Sequence, residues 1–260
     1  MKGNILAVKN LSIRLREEPS RYILKDISFA LGASSVLGIV GGSGSGKTTL
    51  GMSFLNLLPS AMEVEGGEIL FEGRDILKLQ PHEMRSLRGS RMAMIFQESM
   101  SAFDPVYTIG EQIMETILAH EDVSLVKAVL RAKELLSLVE VPDPERVAQS
   151  YPHQLSGGLA QRAMIAQALS CNPLLLIADE PTSNLDVTTQ AKILETFARL
   201  KADLKLSIVL ITHDLGVLKH LADEVVILDQ GRLVEKGAVA NIMTQPKEAY
   251  TQELLAAEDL

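Results

Sequence analysis

Val36-Leu37-Gly38-Ile39-Val40-Gly41-Gly42-Ser43-Gly44-Ser45-Gly46-Lys47-Thr48 runs from an apolar stretch into a glycine-rich one and ends in Lys-Thr. Residues 36–40 are few, include β-branched side chains and run into glycines, so they read as a buried strand. A helix is predicted from about Lys47 to Leu58. Gly41–Thr48 therefore lies between a strand and a helix and matches GxxxxGK(S/T) in full, in the context that pattern requires. Its glycines let successive backbone N–H groups turn inward around phosphate oxygens, and the helix start adds its positive dipole end. Lys47 is placed to put a point charge on β- and γ-phosphates, and Thr48 to offer a hydroxyl to Mg²⁺. A flexible glycine turn with an accidental lysine accounts for neither the spacing nor the two flanking elements. The candidate nucleotide ligands are Gly41, Gly42, Ser43, Gly44, Ser45, Gly46, Lys47, Thr48 and Thr49.

Outward from this loop, strands and helices alternate. Residues 4–15 and 23–31 read as paired strands, and Gly66-Gly67-Glu68-Ile69-Leu70-Phe71-Glu72-Gly73 as a hairpin arm with glycines at its turns. From about 98 to 165 the character is helical. Leu125, Val129, Ala132, Leu136 and Val139 alternate spacings of four and three, and Pro142 and Pro144 are expected to end that helix. Leu174–Glu180 is an apolar strand ending in two carboxylates, followed by a helix near 188–203 and a strand over 207–212. The alternation predicts an α/β fold with a largely parallel sheet covered on both faces, and a helical subdomain inserted at about 98–165. Residues 1–260 read as a single domain without internal repeats, closing in a surface helical tail over 240–260.

Composition narrows the function classes. The chain has 260 residues, 47% hydrophobic and 22% charged, enough for a sizeable core. A net charge of -8 argues against generic nucleic-acid binding, although local basic patches are compatible with it. The single cysteine, Cys171, allows neither an internal disulfide nor a cysteine zinc site, and before an apolar run it reads as a small buried thiol in a reduced setting. The N-terminus lacks the long apolar centre of a secretory signal, and no stretch has the roughly 18–20 unbroken apolar residues that span a bilayer. Any membrane role is expected to come through a partner.

Asp179 and Glu180 end their strand at the carboxyl edge of the sheet, where such folds bind ligands. Asp179 suits Mg²⁺ through a water ligand, and Glu180 suits polarising an attacking water as general base. Taken alone, the two carboxylates could equally cap the next helix. Leu155-Ser156-Gly157-Gly158-Leu159-Ala160-Gln161-Arg162 precedes a helix predicted from about Ala160 to Leu169. Taken alone, this is an ordinary capping sequence.

The order of phosphate loop, Gln97, Ser156-Gly157-Gly158, Asp179-Glu180, Ser183-Asn184-Leu185-Asp186 and His213 resembles the full motif series of ABC ATPases over essentially residues 4–250. Leu155–Leu159 is similar to the family's LSGGQ signature, with Leu159 where glutamine is commonest. The resemblance implies a P-loop ABC-type nucleotide-binding domain, with a RecA-like core, an antiparallel β-subdomain and a helical subdomain. It implies ATP and Mg²⁺ as cofactors and ATP hydrolysis as the activity. It further implies that Gln97 touches Mg²⁺ and the attacking water, that His213 contacts the γ-phosphate, and that Asp186 lies in a loop crossing a subunit interface. Two subunits of this family pack head to tail, each ATP lying between one phosphate loop and the partner's Ser156, Gly157 and Gly158. The family usually stacks an aromatic residue on adenine. Here Tyr22 is the aromatic residue of that neighbourhood, displaced toward the next strand, and it reads equally as a strand residue with a wet hydroxyl. Asn184 stands where alanine or glycine is commoner.

Gln97-Glu98-Ser99-Met100-Ser101-Ala102-Phe103-Asp104-Pro105, Tyr151-Pro152-His153-Gln154 and the tail Pro246–Leu255 resemble the peptide/nickel importer group. That resemblance implies a second ATPase subunit, related but different or else a second copy, and two transmembrane permease subunits. An extracytoplasmic solute-binding protein would act indirectly, and the chain would lie at the cytoplasmic face of a bacterial or archaeal inner membrane. No nucleic acid is implied. Another class with similar motifs is the soluble ATPase accessory of an enzyme complex such as carbon–phosphorus lyase. DNA-repair and translation ABC ATPases carry long coiled-coil or tandem-domain insertions, which this chain lacks.

Overall fold

The computed structural model describes residues 3–183 and 185–258; the Asn184 departure and the extreme ends of the N-terminal and tail readings fall outside them. In chain order the elements are β1 (Asn4–Leu15), β2 (Tyr22–Gly32), β3 (Val36–Gly41), α1 (Lys47–Ser53), β4 (Met62–Phe71), β5 (Arg74–Asp75) and α2 (Pro81–Leu87). There follow β6 (Met92–Ile95), α3 (Ile109–His120), α4 (Leu125–Leu138), α5 (Pro144–Gln149), α6 (Gly157–Ala168) and β7 (Leu175–Asp179). The chain closes with α7 (Val187–Leu204), β8 (Ser207–Ile211), α8 (Leu215–Leu221), β9 (Glu224–Asp229), β10 (Arg232–Ala238), α9 (Val239–Thr244) and α10 (Ala249–Glu258). It divides into two compact units, one of residues up to Met84 and from Lys205 onward, the other Arg85–Leu204.

The first unit holds two sets of strands. One is antiparallel, in the order β2-β1-β4-β5, and the other runs β10-β9-β3-β8. All six residues of β3 are buried, and it lies parallel to both neighbours, with Ile39 opposite Ile211 on one side and Val226 on the other. Burial on both faces is why its sequence is an unbroken apolar run rather than an alternating one. In β1 the alternation slips: Leu6 and Val8 are buried, and so are Leu11 and Ile13. Asn10, at φ 48°, takes up the extra residue in a bulge, its amide and carboxamide both engaged by the Ser28 hydroxyl at 2.8 and 3.1 Å. Gly66 and Gly67 therefore lie inside β4 opposite this bulge and not at a turn; Gly73, at φ 80°, makes the turn into β5.

Helix α1 stops at Ser53, short of the predicted Leu58. Asn56 adopts a left-handed φ of 51°, and the Leu57 amide bonds back to the Met52 carbonyl at 3.0 Å, a closure that ends helices.

In the second unit β6 and β7 pair in parallel, Met92 opposite Leu175 and Ile95 opposite Ala178. The buried face of α4 is Ala128, Ala132, Leu135 and Leu136, with Leu125 exposed at its start although the predicted stripe includes it. Helix α4 ends before Pro142 as expected, but Pro144 opens α5 as its first residue, where its missing N–H costs nothing. The last carbonyls of α4 are held by two guanidinium groups. Arg162 donates to Val139 O, Arg199 donates to Leu138 O at 2.6 Å, and Glu140 pairs with both arginines. Cys171 is buried, and burial pushes its thiol pKa up, in keeping with an unreactive packing residue. Among the described residues no helix is long and apolar enough to cross a membrane.

The bulge yields a stability prediction. Gly67 has φ +98°, and an added Cβ would lie 2.6 Å from the Asn10 carbonyl oxygen and from the Leu11 Cα. Gly67→Ala is expected to destabilise the protein by at least about 2 kcal/mol, read as a lowered urea midpoint. An unchanged midpoint would contradict the bulge geometry.

Candidate functional site

The phosphate loop leaves β3 at Gly41. Gly46, which caps α1, has φ +97°, and a Cβ there would lie 2.6 Å from Leu24 Cδ2 and 3.0 Å from the Ile23 carbonyl oxygen. Glycine is thus required at this position by backbone conformation and by space together. Lys47 is only 8% exposed, and its ammonium donates to the carbonyls of Gly41 at 2.8 Å and Gly42 at 2.9 Å. The Ser45 amide closes the turn onto Gly42 O at 3.2 Å, while the Ser45 carbonyl accepts from Gly231 N, also at 3.2 Å, in the β9–β10 turn. Among the described residues the buried Ser45 hydroxyl has no hydrogen-bond partner. Ser43, Gly44 and Thr48 are exposed, and Thr49 is half-buried. A fixed ammonium, an orphaned hydroxyl and an open outer lip fit a phosphate-bearing ligand.

In the second unit the parallel pairing of β6 with β7 carries two sequence-predicted residues to one place. Gln97 lies two residues past β6 and Glu180 one past β7, and Gln97 Nε2 donates to Glu180 Oε2 at 3.0 Å. Asp179, the last residue of β7, is 3% exposed. Glu180 takes a left-handed φ of 45°, a conformation that costs a residue with a Cβ. Its carbonyl accepts from the Ser183 amide at 3.1 Å and the Ser183 hydroxyl at 2.9 Å, which holds the turn. Helix-capping by these carboxylates is set aside by the structure: α7 is capped by Asp186, whose side chain accepts from Thr189 N at 3.0 Å and Thr189 Oγ1 at 2.7 Å. The Thr189 hydroxyl and then its amide hold the Asp186 carboxyl below the usual carboxylate range.

Helix α6 starts at Gly157, three residues before the predicted Ala160, so Gly157 and Gly158 lie in its first turn. Ser156 is the N-cap, exposed, and its hydroxyl makes no bond to its own helix. By contrast, Thr108, Ser124, Asp143 and Asp214 all cap theirs with side-chain bonds. The Ser156 hydroxyl and the first amides of α6 therefore stay available to an outside ligand. They border a cavity of about 490 Å³ lined also by Gly158, Arg162, Thr189, Lys192 and Glu195.

Tyr22 begins β2, with the Lys25 ammonium 4.8 Å from its ring centroid. Hydrogen bonding to Glu65 pushes its phenol pKa up. His213 is exposed between β8 and α8, after a buried Thr212 whose hydroxyl accepts from Asp214 N at 3.0 Å. The sequence reading did not assign Tyr250 to the loop, yet its hydroxyl accepts the Gly42 N–H at 2.9 Å. A contact between residues 42 and 250 has no local pattern; its sole trace was the likeness of the tail to a known ending.

The family model described as ABC transporter matches residues 24–183. The chain is 43% identical, over 98% of its length, to the glutathione import ATP-binding protein GsiA of Shigella dysenteriae serotype 1 (strain Sd197), of which it spans only 42%. It is 45% identical, over 92% of its length, to a probable peptide ABC transporter ATP-binding protein, y4tR, of Sinorhizobium fredii (strain NBRC 101917 / NGR234), and covers 72% of that protein. Among solved structures, the dimeric post-hydrolysis state of the ATP-binding cassette MJ0796 bound to ADP and Pi superposes with a TM-score of 0.79. It is 26% identical, and the match covers 90% of this chain and 98% of that one. The mixed α/β fold is that of an ATP-binding cassette.

Close packing at the start of α6 is testable. A Cβ on Gly158 would meet Thr189 Cγ2 at 2.8 Å. Gly158→Ala is expected to lower stability by about 1–2 kcal/mol. Adding Thr189→Ser, which keeps the hydroxyl and removes the opposing methyl, is expected to recover most of that loss in thermal unfolding. A double variant no more stable than Gly158→Ala would refute the contact.

Proposed function

Because the chain belongs to the ABC transporter family, we propose that it is the ATP-binding and hydrolysing subunit of a membrane importer, acting as half of a two-subunit nucleotide site. The observation that carries this is the loop at residues 41–48, where Gly46 admits no side chain and the Lys47 ammonium bridges the carbonyls of Gly41 and Gly42. Gly41–Thr49 hold the phosphates of ATP, and Lys47 exchanges its loop carbonyls for phosphate oxygens. Thr48, Asp179 and Gln97 serve Mg²⁺, which when bound neutralises charge on the phosphates. Glu180, aligned by the Gln97 amide, takes the proton of the attacking water, and His213 meets the γ-phosphate. Tyr22 is the residue offered to adenine.

Ser156, Gly157 and Gly158 serve the nucleotide of the partner subunit, with Asp186 in the loop that crosses between subunits. The uncommitted Ser156 hydroxyl supports that role, and so does the dimeric state of the MJ0796 cassette. The names of the curated relatives support peptide or glutathione import, and with it the reading that the chain works beneath two permease subunits at the cytoplasmic face of the membrane. They do not favour the soluble enzyme-accessory reading. Co-purification of two multi-span membrane proteins supports transport, and a soluble multi-subunit enzyme in their place would refute it.

Two substitutions separate binding from chemistry. Lys47→Ala is expected to weaken ATP binding by more than about tenfold, because a charge-assisted contact is lost. Glu180→Gln is expected to keep ATP affinity within a few-fold and lower phosphate release by at least about 10²-fold, as for loss of a general base. Both are read by equilibrium ATP binding and steady-state turnover of the chain assembled with its mate. Normal turnover in Glu180→Gln would contradict the base assignment, and brisk turnover by a dilute monomer would contradict the shared site.

A further inference from the structure

We propose that Tyr250 is a positioning residue for the phosphate loop: its hydroxyl, delivered by the C-terminal segment, holds Gly42 in nucleotide-ready geometry, so that the tail sets ATP affinity. This rests on the assignment of residues 41–49 to ATP.

Gly42 is held on both of its backbone groups. Its N–H donates to the Tyr250 hydroxyl at 2.9 Å, and its carbonyl accepts from Lys47 Nζ at 2.9 Å and from Ser45 N at 3.2 Å. The tail thus grips the same peptide residue that positions the loop's ammonium. Glycine at 42 permits the approach, since a Cβ there would stand 3.2 Å from the Tyr250 hydroxyl.

The tyrosine is itself anchored. Glu235, 8% exposed on β10, accepts from the Lys247 amide at 3.0 Å and the Glu248 amide at 3.2 Å, which fixes the chain just before α10. Gln252 donates to the Pro246 carbonyl at 3.1 Å across the same turn, and Thr251 is fully buried. A hydroxyl mounted this way is a fixed prop.

Such a prop acts on binding because the loop is rich in glycine. Gly41, Gly42, Gly44 and Gly46 carry the largest backbone entropy of any residue type, and ordering them around a ligand costs free energy. A bond that orders Gly42 beforehand removes part of that cost from ATP binding. Once nucleotide fills the loop its phosphates hold the amides, so the chemical step is indifferent to the prop. Tyr250 is for this reason expected to act on affinity and not on turnover.

The test compares the full chain with Tyr250→Phe, which deletes only the hydroxyl. Without nucleotide, Gly42 amide hydrogen exchange, read by NMR on ¹⁵N-labelled protein, is expected to accelerate by at least about fivefold in the variant. The ATP Kd is expected to rise roughly fivefold, as for loss of one neutral hydrogen bond, with kcat within about twofold of the parent. Glu235→Gln, which leaves Tyr250 in place and loosens its anchor, is expected to shift both readouts in the same direction, and it decides the matter if Tyr250→Phe fails to fold. Unchanged Gly42 exchange, or faster exchange with unchanged ATP affinity, overturns the proposal. A parent chain that binds no ATP, or a Lys47→Ala control that binds as well as the parent, overturns instead the nucleotide assignment beneath it.

Discussion

A strand buried on both faces needs every backbone amide paired by its neighbours, and β3 meets that need between β8 and β9. The chain then leaves the sheet at Gly41 and reverses within a few residues into α1. A Cβ on Gly41 would stand 2.0 Å from the Leu228 carbonyl oxygen, so the neighbouring strand presses directly on the base of the loop. The geometry of the loop is therefore inherited from a rigid sheet. The Ile23 carbonyl oxygen lies against the Cβ positions of both Gly46 and Gly231, and the Gly231 amide holds the Ser45 carbonyl. The start of β2 and the β9–β10 turn, distant in sequence, brace the same loop.

The second unit uses strand ends in another way. Parallel pairing places consecutive strand termini side by side, and this brings Gln97 and Glu180 into hydrogen-bond contact although 83 residues separate them. Glu180 accepts a left-handed backbone conformation in doing so, a local cost offset by two bonds from Ser183 to its carbonyl. The carboxylate is thus set by the turn on one side and restrained by the Gln97 amide on the other.

The helix caps are not all alike. In α3, α4, α5 and α8 a polar cap side chain is spent on its own helix. Thr108 with Glu111 forms a reciprocal box on α3, and Asp214 binds the Val217 amide on α8 at 3.1 Å. Ser156 makes no such bond, and Gly157 and Gly158 add no side chains to the first turn of α6. The nearness of Thr189 to Gly158 links this helix start to the segment that begins α7.

The order of motifs along the chain was enough to name the fold class, to set the glycine loop between a strand and a helix, and to put the two carboxylates at a strand end, because each depends on local rules. A glycine pattern between strand and helix, an apolar run ending in charge, and a serine before glycines at a helix start are all short-range signals. Helix ends were less legible: α1 stops at Asn56's left-handed turn, and Pro144 starts a helix where the sequence suggested an end. Gly66 and Gly67 looked like turn residues, and only pairing of β1 with β4 showed them opposite the Asn10 bulge. The meeting of Gln97 with Glu180, the Arg162–Glu140–Arg199 clamp on α4 and the Tyr250 bond to Gly42 were decided by tertiary structure alone. Hydrogen bonds between residues tens to hundreds of positions apart leave no periodicity in a chain, so folding has to bring the partners together before the interaction exists.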